Sequence, residues 1–302
     1  MNLQGVKDKM TFTSQVKKKL TGIDLPECRF CLAAELAGMV RFFGSFRDEG
    51  LCLSGENRDT LERAAYLIKE CFGIDREPVY DNTKKLYRIV FDENEANILV
   101  LELCIESDVN TILPFDCCGV SFIRGAFLGG GSISNPNKSY HVEFDTKEEK
   151  YAKELLFVLE EVGIGAKMTE RKGIFVVYIK DFNTVAAVMS KIGADFAALE
   201  LYNASIEKEI RNDINRMVNC ESANMRKLGT AASEQIRAIE KIASSVGLDV
   251  LGDALKEMAY LRLEYREDSL VELGRRLAPP IGKSGVNHRL KRIMEFAEKL
   301  DK

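Results

Sequence analysis

Two nine-residue segments constrain this chain more than any other feature. Residues 36–44 read Leu-Ala-Gly-Met-Val-Arg-Phe-Phe-Gly and residues 123–131 read Ile-Arg-Gly-Ala-Phe-Leu-Gly-Gly-Gly. They are offset by 87 residues both at the first glycine (Gly38, Gly125) and at the last (Gly44, Gly131). A glycine inside a helix costs about 1 kcal/mol relative to alanine. Side-chain bulk at a contact sets the distance between helix axes, so glycines at one matching position predict two helices pressed backbone to backbone. The closing glycines predict that each helix stops there.

The segments downstream of each copy also repeat. After the first come a strand candidate at 50–53 and a helical run at 60–72 ending in Gly73-Ile74; after the second come a strand candidate at 140–145 and a helical run at 147–162 ending in Gly163-Ile164. Further strand candidates lie at 86–92 and 175–181, offset by 89 residues at their closing aspartates. A register held this closely over four elements is an internal repeat. It predicts a pseudo-symmetric domain over 10–205, with repeats of about 14–112 and 113–205 and an N-terminal extension over 1–9. In that reading Ser14 caps a first helix running to Lys19, and Pro26 precedes the first central helix.

Two such helices, each leading into strands and a helix, resemble the halves of a LAGLIDADG homing endonuclease. More specifically, the chain resembles the WhiA family of bacterial regulators, which join a degenerate fold of that kind to a helix-turn-helix domain. The sharpest signatures are the run from Arg124 to Ser132 with Asn135-Pro-Asn-Lys-Ser-Tyr140, and Asn215-Arg-Met-Val-Asn-Cys-Glu-Ser-Ala-Asn224. The resemblance implies an α+β domain followed by an all-α DNA-binding domain. It also implies transcriptional regulation tied to sporulation, cell division or chromosome segregation in Gram-positive bacteria, a cytoplasmic, nucleoid-associated location, and transcription or cell-division proteins as further partners.

Cleavage is a separate matter. Active endonucleases of this fold hold divalent metal on carboxylates near the ends of the central helices, because hard cations want oxygen ligands. The sixth and eighth positions of the motif are Arg41 and Phe43 in the first copy, and Leu128 and Gly130 in the second. None offers a carboxylate. Asp48 and Asp116 lie nearby in sequence but out of register. The expectation is a chain that is not an enzyme, has no catalytic residue, and needs no cofactor.

The 302 residues are 46% hydrophobic and 30% charged, which fits two folded domains. No apolar run reaches the ~18 residues of a membrane helix, and Lys7, Lys9 and Lys17 to Lys19 exclude a signal-peptide core in the N-terminal stretch. Of eight cysteines, most fall in apolar segments. Cys28-x-x-Cys31 invites a metal reading, but no second such pair or histidine pair completes a zinc site in sequence, so no metal is expected.

The overall charge is −4, yet residues 206–302 carry 18 Lys+Arg against 16 Asp+Glu. Six bases and no acid lie within 274–292, a local footprint for phosphate. In the repeat domain, Lys84, Lys85, Arg88, Lys167, Arg171 and Lys180 suggest a DNA-facing sheet. Glu102, Glu106, Glu143 and Asp145 suggest instead a solvated mixed-charge face. His141, without partner histidines, carries no catalytic role. Asn212, Asn215 and Asn219, flanked by Arg211, Arg216 and Arg226, fit either duplex contact or a tethered junction within a linker over 206–226.

From 227 to 302 four helices are expected. Ile236, Ile239, Ile242 and Val246 line the first, Leu251, Leu255 and Met258 the second, over about 250–266. Ser269 and Glu272 form a capping box on a short third helix, and Ala278-Pro-Pro cannot stay helical. Ser284 then caps the fourth. On a helical wheel Val286, Leu290, Ile293, Ala297 and Leu300 face inward, while His288, Lys291 and Arg292 face out beside Ser284, with Asn287 and Arg289 on the flanks. A short helix, a connection and a basic helix match helix-turn-helix docking in the major groove of double-stranded DNA. Ser284, Asn287, His288, Arg289, Lys291 and Arg292 would read it, with Arg275, Arg276 and Lys283 on phosphates. The competing readings are a basic helix docking on a protein, and a scaffold of the division machinery with only non-specific DNA affinity.

Overall fold

The computed structural model describes residues 10–47 and 50–300. The proposed extension over 1–9 and Asp48 lie outside the described residues. The chain divides into two units at Lys208 and Glu209.

The first unit contains the two repeats. In the first, α1 (Phe12–Thr21) and α2 (Arg29–Phe43) lead into β1 (Gly44–Arg47), β2 (Gly50–Gly55), α3 (Arg58–Phe72), β3 (Val79–Asp81), β4 (Leu86–Phe91) and α4 (Glu93–Glu102). In the second, α5 (Asp116–Gly130) leads into β5 (Gly131–Ile133), β6 (Val142–Thr146), α6 (Glu149–Glu161), β7 (Lys167–Arg171), β8 (Ile174–Ile179) and α7 (Phe182–Lys191). Each repeat folds one antiparallel four-stranded sheet, in the orders β1-β2-β4-β3 and β5-β6-β8-β7. The matching orders confirm the repeat.

The central prediction holds at atomic detail. A methyl group added at Gly125 would sit 1.9 Å from the carbonyl oxygen of Glu35, and one at Gly38 would sit 2.2 Å from that of Phe122. The two helices are therefore in backbone contact at the predicted glycines. They also end at Gly44 and Gly131, but in extended rather than left-handed backbone, with φ −75° and −78°. Each helix thus runs directly into a strand, β1 or β5. Neither strand is visible in the sequence, because each is too short to show an alternating pattern.

Strand β6 buries one face with the two-residue period of a pleated strand. Val142, Phe144 and Thr146 point inward from β6, against Ile179 and Val177 of β8. Helix α1 is capped by the Thr11 hydroxyl, which accepts from the Ser14 amide, so the cap lies three residues before the expected one.

Helix α8 (Asp195–Ser245) is continuous over 51 residues. The expected linker over 206–226 is accordingly helical: its stretch contains neither proline nor glycine, and nothing in it breaks the hydrogen-bond ladder.

In the second unit the end of α8 is followed by α9 (Asp253–Glu264), α10 (Leu270–Arg276) and α11 (Lys283–Lys299). Ile239, Ile242, Met258, Leu273, Val286, Leu290, Ile293 and Ala297 form its core. Val246, expected inward, is exposed, because α8 stops at Ser245 and the chain turns at Gly247 with φ +79°.

Candidate nucleic-acid interface

Helix α10 opens on the predicted capping box: Ser269 accepts from the Glu272 amide, and the Glu272 carboxylate accepts from the Ser269 amide. The Ser269 amide foremost holds the Glu272 carboxyl below the usual range. The helix ends at Arg276, and residues 277–282 carry the chain round through a cis Ala278–Pro279 bond. Gly274 makes this turn compact: the Ile281 amide donates to its carbonyl at 3.0 Å, and a methyl at Gly274 would fall 2.2 Å from the Ile281 carbonyl oxygen. Helix α11 begins at Lys283 behind Gly282, so Ser284 lies within the first turn rather than capping it.

The wheel of α11 is close to the expected one. Val286, Leu290, Ile293 and Ala297 are buried, and Leu300 is half-buried just beyond the helix. Ser284, Asn287, His288, Lys291 and Arg292 are exposed on the other side, as are Arg275, Arg276 and Lys283. Among the described residues Arg275, Lys283 and Arg292 have no acidic partner within ion-pair distance, while Lys291 pairs loosely with Glu295 at 3.9 Å.

Two of the nine expected contact residues are already engaged. Arg276 donates to Asp268 at 2.7 Å and lies 3.7 Å over the Tyr265 ring. Arg289 is half-buried, donates to the Ala254 carbonyl at 3.4 Å, and sits 3.9 Å from Glu257, which ties α11 to α9. The wheel places it on the flank but cannot show that α9 fills that flank. Arg262 escapes sequence reading altogether. It is only 2% exposed and donates to the carbonyls of Tyr265, Arg266 and Asp268, so it ties down the turn before α10; burial lowers its pKa.

In the repeat unit, Arg171 pairs with Glu143 at 2.8 Å and Arg88 with Asp81 at 3.2 Å, while Lys84, Lys85, Lys167 and Lys180 are exposed and, among the described residues, have no acidic partner within ion-pair distance. His141 also lies beside Glu143. Where a nuclease would carry acids, Arg41 is buried. It donates to Glu154 at 2.7 Å and to the carbonyls of Ala37, Leu103 and Cys104. Asp116 stands in the first turn of α5, at the opposite end from Gly130. The polar stripe Asn212, Asn215 and Asn219 is exposed on α8.

The sequence argument against a metal rested on the lack of a second thiol pair, and the fold supplies one. The second thiol pair that Cys28 and Cys31 lacked comes from Cys117 and Cys118, and the four sulfurs all lie within 4.8 Å of one another. The pair is hard to see in sequence because its members are adjacent rather than spaced, and it stands 86 residues beyond Cys31. Burial pushes the Cys31 and Cys118 thiols up, whereas the Cys31 amide foremost holds the Cys28 thiol down.

Residues 119–211 match the family model described as the WhiA LAGLIDADG-like domain, and residues 214–297 match that of the WhiA C-terminal HTH domain. A "Probable cell division protein WhiA" of Clostridium novyi (strain NT) is 39% identical over 321 residues, covering 97% of this chain and 99% of its own. The chain belongs to the WhiA family. A WhiA relative from Oceanobacillus iheyensis bearing the same description is 40% identical over 309 residues, covering 96% and 98%. Among solved structures, full-length DUF199/WhiA from Thermatoga maritima matches with a TM-score of 0.60 at 29% identity, over 96% of this chain and 99% of that one. The fold is the WhiA arrangement, a LAGLIDADG-like α+β domain followed by a helical HTH domain. The boundary between the two matched WhiA domains falls inside α8, close to the division between the units. Among the described residues no helix is long and apolar enough to cross a membrane.

Proposed function

We propose that this WhiA-family chain is a sequence-specific, double-stranded-DNA-binding transcriptional regulator of cell division, chromosome segregation or sporulation, and that it does not cleave its target. The observation that carries this reading is the exposed face of α11. Ser284, Asn287, His288, Lys291 and Arg292 stand opposite a buried apolar stripe, behind a short capped helix and beside the unpaired cations Arg275 and Lys283. The N-terminal part of such a helix fits the major groove, where asparagine and arginine distinguish base edges. Arg275 and Lys283 supply charge for the phosphates. Arg276, exposed but paired with Asp268, and Arg289, half-buried against α9, brace the module. The absence of a carboxylate at Arg41, Phe43, Leu128 and Gly130 supports the non-enzymatic reading, since those positions give hard-cation chemistry no ligand.

The test is a gel-shift titration of the full chain against a random duplex library, with and without magnesium, and then sequencing of retained DNA. The expected result is salt-sensitive retention of an enriched sequence, unchanged by magnesium, with every duplex intact. Retention without enrichment would overturn specificity, and nicked plasmid in magnesium would overturn the loss of catalysis.

A further inference from the structure

The four thiols at the start of the central helices are set by the repeat itself. Cys31 and Cys118 are 87 residues apart, the same offset as Gly38 and Gly125, so they occupy equivalent positions and meet across the pseudo-two-fold axis with sulfurs 3.8 Å apart. The same offset makes Cys28 equivalent to Phe115, and Phe30 equivalent to Cys117. The axis therefore generates two symmetry-related pairs. One is Phe30 with Phe115, whose rings meet edge to face at 5.6 Å. The other is Cys28 with Cys117, which completes the cluster on the opposite side. The proximity of these two cysteines thus comes from the same packing that places the rings together.

The geometry suits a single thiophilic ion. A tetrahedral zinc site with Zn–S near 2.3 Å has sulfur–sulfur edges of about 3.8 Å. Here Cys31 lies 3.3 Å from Cys117 and 3.8 Å from Cys118, and no pair exceeds 4.8 Å. An iron–sulfur cluster of several irons would hold its cysteine sulfurs farther apart than this. Cys28 is the N-cap of α2, and Cys117 and Cys118 lie in the first turn of α5, so both helix N-termini converge on the sulfurs. The positive ends of the two dipoles favour thiolates, and exposed Cys117 with half-buried Cys28 leaves a route for the ion.

We infer that Cys28, Cys31, Cys117 and Cys118 form a structural zinc site that clamps the N-termini of the two central helices together, at the opposite end from the Gly44 and Gly131 junctions. The site is closed, with four protein ligands, so its role is mechanical rather than catalytic.

The experiment uses the full chain, purified under reducing conditions from zinc-supplemented medium. Elemental analysis should find about one zinc per chain, falling at least roughly tenfold in Cys28→Ser/Cys117→Ser and unchanged in Cys220→Ser. Both altered side chains of the double variant reach solvent, and circular dichroism checks that it folds. Independently of any variant, cobalt(II) added to the metal-free wild-type chain should give thiolate-to-cobalt charge-transfer bands and the visible bands of a tetrahedral sulfur site, both displaced by zinc. A wild-type chain that retains no zinc and gives no such bands overturns the proposal. So does a folded double variant with undiminished zinc, or a Cys31–Cys117 disulfide that persists in reductant.

Discussion

Nε of Arg41 donates to Oε2 of Glu154 at 2.7 Å, joining α2 of one repeat to α6 of the other inside the fold. Arg41 occupies the sixth motif position, where an active relative would carry an acid. A cation there repels a divalent metal and instead cross-links the repeats. The Arg41 side chain is fully buried and that of Glu154 is 10% exposed, so removing either leaves a charge that water cannot readily reach. Arg41→Ala should cost about 3–5 kcal/mol, and a paired Arg41→Met/Glu154→Leu change should recover much of that. Urea denaturation monitored by circular dichroism measures both. Equal midpoints for the single and wild-type chains would show that the pair contributes nothing.

Gly125→Ala should be as damaging, for a steric reason. Its methyl would sit 1.9 Å from a main-chain oxygen of the partner helix, which no rotamer change can relieve. The helices must separate, and a loss of at least about 3 kcal/mol is expected. Gly55→Ala, where nothing lies within 4 Å, serves as the control and should shift the melting temperature little.

For DNA binding, Lys283→Ala and Arg292→Ala should leave the melting temperature unchanged and weaken retention. If a residue contacts phosphate, the slope of log affinity against log salt should fall by about 1; if it contacts a base, specificity at one position should relax by about 1–3 kcal/mol. Arg289→Ala should behave differently and lower the melting temperature, because this side chain ties α11 to α9. Gel shifts at several salt concentrations, beside thermal melts, separate the two patterns. Unaltered binding by the first two variants would remove α11 from the interface.

The Lys17 ammonium, half-buried on α1, titrates at about 8 instead of the usual 10.5; burial lowers it, and Asp145 and Glu56 offset only part of that. The unfolded chain therefore binds the extra proton between these two values. Stability contributed by this group rises as pH increases from about 8 toward 10.5, and the penalty is constant below that window. Because other groups ionise there as well, the comparison is with Lys17→Met. The variant should be more stable at neutral pH, and its advantage should shrink as pH rises. An advantage that stays constant with pH would contradict the assignment.

The sequence alone determined the repeat, the glycine contact between its central helices, the missing carboxylates, and the amphipathic wheel of α11. All are local spacings or offsets between copies, and backbone geometry turns such spacings into faces without knowledge of the rest of the chain. Tertiary structure decided what depends on residues far apart meeting. It placed Cys117 and Cys118 beside Cys28 and Cys31. It gave Arg41 a carboxylate 113 residues away, and let buried Glu35 bind Arg63 at 2.5 Å and Arg124 at 3.1 Å. It also drew Arg289 back against α9. Periodicity shows which way a side chain points, but only packing shows what stands there to receive it.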